Sequence, residues 1–176
     1  MIGGDKIIVS GTLGDHAMAI LCARNDFKMV TKIKSDCASL NGMIKKILKL
    51  EQHIHFMRDA TRGGMATVLC EIAESRNLGI EFLEDAVPVS SEVKSLCDIL
   101  GFDPLYLANE GKIVLVCQKN KAGAMLEILR KTQAGKNAAI VGEIVSDHPG
   151  RVRMQTSIGG QRYVEMLTGE QLPRIC

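Results

Sequence analysis

Apolar positions along this 176-residue chain alternate between short runs and a three-to-four spacing. Lys6-Ile7-Ile8-Val9 predicts a short buried strand. The turn Ser10-Gly11-Thr12-Leu13-Gly14-Asp15-His16 leads into a helix with Ala17, Ile20 and Leu21 on one face. Residues 40–50 predict a basic amphipathic helix, with Met43, Ile44, Ile47 and Leu48 as its stripe and Lys45, Lys46 and Lys49 facing water. A strand over 53–57 follows. After Arg62-Gly63-Gly64, the residues Met65, Val68, Leu69 and Ile72 recur at helical spacing, and Gly79 is the expected stop. Residues 80–83 read as a strand. Ser90 or Ser91 can cap the next helix, which carries Val93, Leu96, Cys97 and Leu100 and stops at Gly101. The unbroken run Ile113–Cys117 predicts a central strand covered on both faces. A helix over 120–131 precedes two strands, 139–146 and 151–156, which read as a hairpin around His148-Pro149-Gly150, because Pro then Gly suits a type II turn.

This alternation, with one antiparallel hairpin, predicts an α/β (α+β) domain with a mixed sheet covered by helices. One domain is expected over 1–168. Residues 169–176, aperiodic and containing Pro173, read as an exposed tail. The chain is read as beginning abruptly, inside an element, as a fragment would. Composition fits a globular protein, with 46% hydrophobic and 24% charged residues. A net charge of 22 − 20 = +2 fits neither a polybasic nucleic-acid binder nor an acidic tail, and with no Trp and 3% aromatics a base-stacking surface is not expected. The sequence has no bilayer-length apolar stretch and no signal-peptide pattern, so no membrane association and a cytoplasmic location are expected. The six Cys lie at 22, 37, 70, 97, 117 and 176, without metal-ligand spacing. Reduced thiols are expected, with Cys70, Cys97 and Cys117 buried as small hydrophobes, and no metal site.

Three segments can carry chemistry. Arg58-Asp59-Ala60-Thr61-Arg62-Gly63-Gly64 lies between a strand and a helix, where free N–H groups and the helix dipole favour an anion. Two glycines admit a ligand close to the backbone, and Arg62 can bind phosphate through both arms of its guanidinium. The plainer alternative is a helix cap made by Asp59 or Thr61. In Asp103-Pro104-Leu105-Tyr106-Leu107-Ala108-Asn109-Glu110-Gly111, a carboxylate ahead of the central strand can act as a general base if partly desolvated. Its alternative is an exposed loop with Asn109 and Gly111 forming a turn. The terminal Leu172-Pro173-Arg174-Ile175-Cys176 places a nucleophilic thiol at the chain's last residue, against the alternative of a frayed end. His16 can orient a substrate or hydrogen-bond locally.

In this order, these segments resemble the C-terminal half of the HypE family of hydrogenase maturation factors, over essentially the whole chain. The terminal Pro-Arg-Ile-Cys makes the resemblance specific, because related ATP-dependent synthetases of the aminoimidazole-ribonucleotide synthetase (PurM-like) superfamily lack it. The resemblance implies a three-layer α/β/α sandwich. It implies that Cys176 accepts a carbamoyl group from the carbamoyltransferase HypF, and that ATP with Mg drives dehydration to a thiocyanate. Cyanide then passes to iron on the HypC–HypD complex during assembly of the NiFe hydrogenase site. On this basis Cys176 carries the intermediate and Glu110 is the base. Asp59, Thr61, Arg62, Gly63, Gly64, Asn109 and His16 line the substrate or nucleotide cleft. By this resemblance, the family's N-terminal half, which binds most of the ATP and forms the dimer, is expected to be absent from this chain, which alone should hydrolyse ATP weakly or not at all. Ala60 stands where the family usually has Pro and is expected to loosen the loop. Two other readings stay open: a non-catalytic carrier module presenting Cys176, and another synthetase of the superfamily.

Overall fold

The computed structural model describes residues 1–24 and 31–167, so the tail read at 169–176, with Cys176, lies outside the described residues. Seven strands form one sheet. They are β1 (Lys6–Val9), β2 (Ile54–Asp59), β3 (Gly79–Leu83), β4 (Ile113–Cys117), β5 (Ala139–Val145), β6 (Val152–Gln155) and β7 (Gln161–Val164). Five α-helices are described: α1 (Asp15–Ala23), α2 (Asn41–Ile47), α3 (Gly64–Arg76), α4 (Ser91–Leu100) and α5 (Ala122–Arg130). The strand order is β2-β4-β1-β5-β3-β6-β7, antiparallel throughout except for the parallel pair β3–β6. The mixed sheet and the α/β class are as the sequence predicts.

The alternation of side chains along β1 and β4 explains the layers. Ile7, Val9, Val114 and Val116 pack in one cluster with Met65, Leu69 and Ile72 of α3. Ile8, Leu115 and Cys117 point the other way, against Met43 and Ile47 of α2 and Met125 and Leu129 of α5. All five residues of β4 are buried, as a strand covered on both faces requires. Helical cover thins toward β6 and β7. Leu83 of β3 and Tyr163 of β7 are exposed, and ion pairs join Lys6 of β1 to Glu143 of β5 and Arg153 of β6 to Glu81 of β3. A smaller cluster joins Ala17, Met18 and Leu21 of α1 to Val93 and Cys97 of α4.

Local signals set most boundaries. Ser90 caps α4, its Oγ accepting from the Val93 N–H at 3.4 Å, and left-handed Gly101 ends that helix. Three expectations change. First, α3 ends at Asn77 and not at Gly79; Asn77 is left-handed, a conformation its short polar side chain tolerates, and Gly79 begins β3. Second, β5 and β6 are not a hairpin, because β3 lies between them. The turn itself forms: Arg151 N–H bonds to His148 C=O at 3.1 Å with Gly150 at φ +76. However, Gly150 N–H bonds to Leu78 C=O at 3.1 Å, so the start of β3 docks on the turn and takes the inner position. The antiparallel partner of β6 is β7, where only Val164 is buried. Third, α2 stops at Ile47 and continues as a 3₁₀ turn over Leu48–His53, leaving Leu48 exposed.

The five described cysteines are free thiols; Cys22, Cys70, Cys97 and Cys117 are buried and Cys37 is exposed. Burial raises the pKa of Cys22, and pushes Cys70, Cys97 and Cys117 up to about 11, with nearby carboxylates adding to the effect at the last three. Roughly one in a thousand of those three thiols is then ionised at pH 8. Peptide-resolved alkylation at pH 8 is therefore expected to label Cys37 within minutes, and Cys70, Cys97 and Cys117 only in denaturant. Labelling of the three at the Cys37 rate would contradict their burial. No helix among the described residues is long and apolar enough to cross a membrane.

Candidate functional site

Three turns meet at one buried amide. Asn109 is fully buried, and its side chain makes three hydrogen bonds, all of them to backbone. Its Oδ1 accepts from the Gly14 N–H at 2.8 Å, and its Nδ2 donates to Ala60 C=O at 3.0 Å and Leu107 C=O at 2.8 Å. Its own N–H also reaches Ala60 C=O, at 3.2 Å. The Ser10–His16 turn, the Asp59–Gly64 loop and the loop before β4 are thereby tied together. The alternative of an exposed turn at Asn109 and Gly111 fails, since both are buried. Asn109, expected to line a cleft, turns its side chain onto the backbone of these three loops.

Ser10 reinforces the joint, with N–H to Ile113 C=O at 3.0 Å and Oγ accepting from Ile113 N–H at 3.0 Å. Gly14, at φ +81, opens α1 without a side-chain cap. A Cβ there would stand 2.8 Å from the Leu107 side chain in a conformation L-residues avoid. Gly64 is tighter still: at φ +59, its Cβ would meet Leu105 C=O at 2.4 Å and Leu107 C=O at 2.7 Å. The glycines therefore let the start of α3 press on the 105–107 backbone.

At α3 itself, left-handed Gly63 is the N-cap residue and no side chain caps the helix. Capping by Asp59 or Thr61 is thus not what the sequence uses these residues for. Asp59 closes β2, paired with Ile113. Asp59 and Arg62 are exposed, Thr61 is half-buried, and no hydrogen bond or ion pair engages their side chains among the described residues. Uncapped N–H groups at the positive end of a 13-residue helix, beside the exposed Arg62, suit a phosphate or carboxylate. Ala60 does not loosen this loop. It is buried, and its N–H donates to Lys112 C=O at 3.2 Å, a bond proline cannot make.

Glu110 and His16 are linked through residues 35 and 36, which carry no motif in the sequence. His16 Nδ1 lies 2.8 Å from Ser35 Oγ. The next residue, Asp36, accepts the Glu110 N–H on Oδ1 at 3.0 Å and the Lys112 Nζ on Oδ2 at 2.8 Å. Lys112 and Asp36 side chains are 9% and 3% exposed, so this ion pair is buried. A lysine directly before a five-residue buried strand was the available signal, since a buried ammonium needs a carboxylate partner. The same segment borders a cavity of about 630 Å³ lined by Gly11, Thr12, Asp15, Asp36, Lys112 and Lys136. Thr12 Oγ1 donates to Asp15 within it. The arrangement offers an anion-binding helix start and a half-buried carboxylate on a fixed loop, which together can hold an anionic group and accept a proton. Among the described residues, no group of three His, Cys, Asp or Glu is placed to hold a metal ion.

Residues 3–155 match the family described as AIR synthase related protein, C-terminal domain. The chain is 47% identical over 173 residues to the carbamoyl dehydratase HypE of Rhodobacter capsulatus, covering 98% of this chain and 51% of that protein. A crystal structure of the hydrogenase maturation protein HypE in complex with ATP superposes with a TM-score of 0.92 at 43% identity, over 99% of this chain and 53% of that one. A HypE–HypF complex gives 0.89 at 42% identity, over 95% and 54%. The chain spans about half the length of the curated relatives it matches.

Proposed function

Because the chain belongs to the AIR synthase related proteins, and within them to the HypE family, we propose that it is the C-terminal half of an ATP-dependent carbamoyl dehydratase serving NiFe hydrogenase maturation. The observation that carries this reading is the Asn109 joint, which fixes an open helix start and the Glu110 loop in one unit. Cys176 carries the group as an S-carbamoyl thioester, Cys–S–C(=O)–NH₂. Its oxygen is a poor leaving group, and ATP supplies a phosphoryl group that turns it into a good one. Arg62 and the N–H groups at Gly63 and Gly64 fit the distal phosphate by charge and by open donors.

Phosphorylation of that oxygen releases ADP and, with loss of one N–H proton, gives Cys–S–C(OPO₃)=NH; Glu110 accepts the second N–H proton as the C–O bond breaks, leaving Cys–S–C≡N and phosphate. The net change on the thioester is loss of one water. The adenosine part of ATP, its Mg and the dimer contacts belong to the family's N-terminal half. HypF is the donor and the HypC–HypD complex the cyanide acceptor, in the cytoplasm. A solved HypE–HypF complex supports the first partner.

The loading step tests this reading. In the two-domain form, with the family's N-terminal half ahead of Met1, HypF and carbamoyl phosphate with ATP are expected to add one carbamoyl group to the tail peptide ending at Cys176. Cys176→Ala should abolish the adduct. An adduct on another residue, or none, overturns the assignment.

A further inference from the structure

We propose that Asp36 is a positioning residue for the dehydration step: its carboxylate holds the Glu110 backbone in place, and the Lys112 ammonium holds Asp36. This inference rests on Glu110 being the base. Four observations point the same way. Asp36 Oδ1 accepts the Glu110 N–H at 3.0 Å, so the bond is made to the backbone of the very residue whose side chain must be aimed. Asp36 Oδ2 takes the Lys112 Nζ at 2.8 Å, with both side chains buried, so the carboxylate cannot drift toward water. At Gly111, between Glu110 and Lys112, a Cβ would lie 1.9 Å from Asp36 C=O, so the 35–37 segment sits directly on the loop. At Gly11 a Cβ would lie 2.9 Å from Lys112 Cε, so the Ser10–His16 turn confines the lysine's stem from the other side.

Glu110 is thus gripped at its own amide by a residue 74 positions earlier, and Lys112 is fixed two residues later. This is more than general stability. The Asn109 joint already secures the loop on its N-terminal side, and β4 secures it from Ile113 onward. The Asp36 bond acts on the residue between them. Displacement of a reacting group by about 1 Å can cost about a hundredfold in rate.

Deleting the Asp36 carboxylate alone strands a buried ammonium, so the test compares two neutralised pairs. Asp36→Asn with Lys112→Met keeps an oxygen acceptor for the Glu110 N–H. Asp36→Leu with Lys112→Met removes it while keeping the branched outline of the side chain. Both are made in the two-domain form, loaded at Cys176 by HypF and followed through ATP-driven dehydration, with KM for ATP measured alongside. The Leu/Met pair is expected about 10–100-fold below the Asn/Met pair in kcat, with KM for ATP differing less than about twofold between the two. Equal rates for the two pairs overturn the proposal, as does a loss in the Leu/Met pair that appears only in KM. Glu110→Gln run in parallel separates the two ideas. If it dehydrates at the parent rate, the base assignment itself has failed. If it is inactive while the two pairs match, only the role of Asp36 has failed.

Discussion

Replacing Glu110 by glutamine is expected to stop dehydration of the carbamoyl group while leaving its loading onto Cys176 intact. Glutamine keeps the size and the backbone of Glu110, and so keeps the N–H bond to Asp36. It removes the negative charge and, with it, the capacity to take a proton. Loss of a positioned general base lowers a rate by about 10²–10⁴-fold. Carbamoyl transfer to the thiol uses a different bond and another protein's active site, so it should continue within about twofold. The readout is the fraction of tail peptide in the carbamoyl and cyano forms after a quenched single turnover. A variant that loads and dehydrates at the parent rate favours the carrier reading, in which the chain only presents Cys176. One that neither loads nor dehydrates means that Glu110 shapes the partner contact and is not the base.

Asn109→Ala is expected to be the most damaging single substitution for stability at the site. The Gly14 N–H and the Leu107 C=O lose their buried partner, while Ala60 C=O keeps the Asn109 backbone N–H. Two stranded groups at about 1–3 kcal/mol each predict a loss of about 2–6 kcal/mol, a large part of a typical domain's 5–15 kcal/mol. The urea midpoint should fall with the slope unchanged. Asn109→Asp sharpens the test. Its carboxylate would face two carbonyl oxygens in a dry site, which raises the folded-state pKa above the unfolded value of about 3.9. Stability is then best below about pH 4 and is lost as pH rises through the folded pKa. A variant as stable as the parent at pH 7 would show that the three turns do not depend on this amide.

Much of this architecture is legible in the chain because its signals are local. The run Ile113–Cys117 can only be a buried strand, Ser90 and Gly101 bracket α4, and the glycines at 63 and 64 mark a backbone that L-residues cannot follow. What was not legible depends on distant partners. The hairpin read at 139–156 has the right turn, but the insertion of β3 is decided by Ile80 pairing with Val152 and Ile144, information that lies outside any window around the turn. β7 shows one buried position in four, too few for an alternating pattern.

At the site, the four motif segments could be picked out by residue type, and three of them converge. The direction of a side chain could not. Asn109 looks like a ligand-binding residue in sequence and turns inward in the fold. Asp36 looks like one more polar loop residue and closes a buried ion pair 76 positions away. Ala60, read as a weakening of a proline-containing loop, contributes an amide donor that the loop uses.

The central claim is that this domain's loop chemistry removes water from a group carried on Cys176. The most direct measurement is the mass of the tail peptide over time in the two-domain form, first loaded by HypF and then given ATP. The expected result is a carbamoyl adduct that loses one water only when ATP is present and Glu110 is intact. A stable carbamoyl adduct that persists with ATP, in a protein shown to bind the nucleotide, would contradict it.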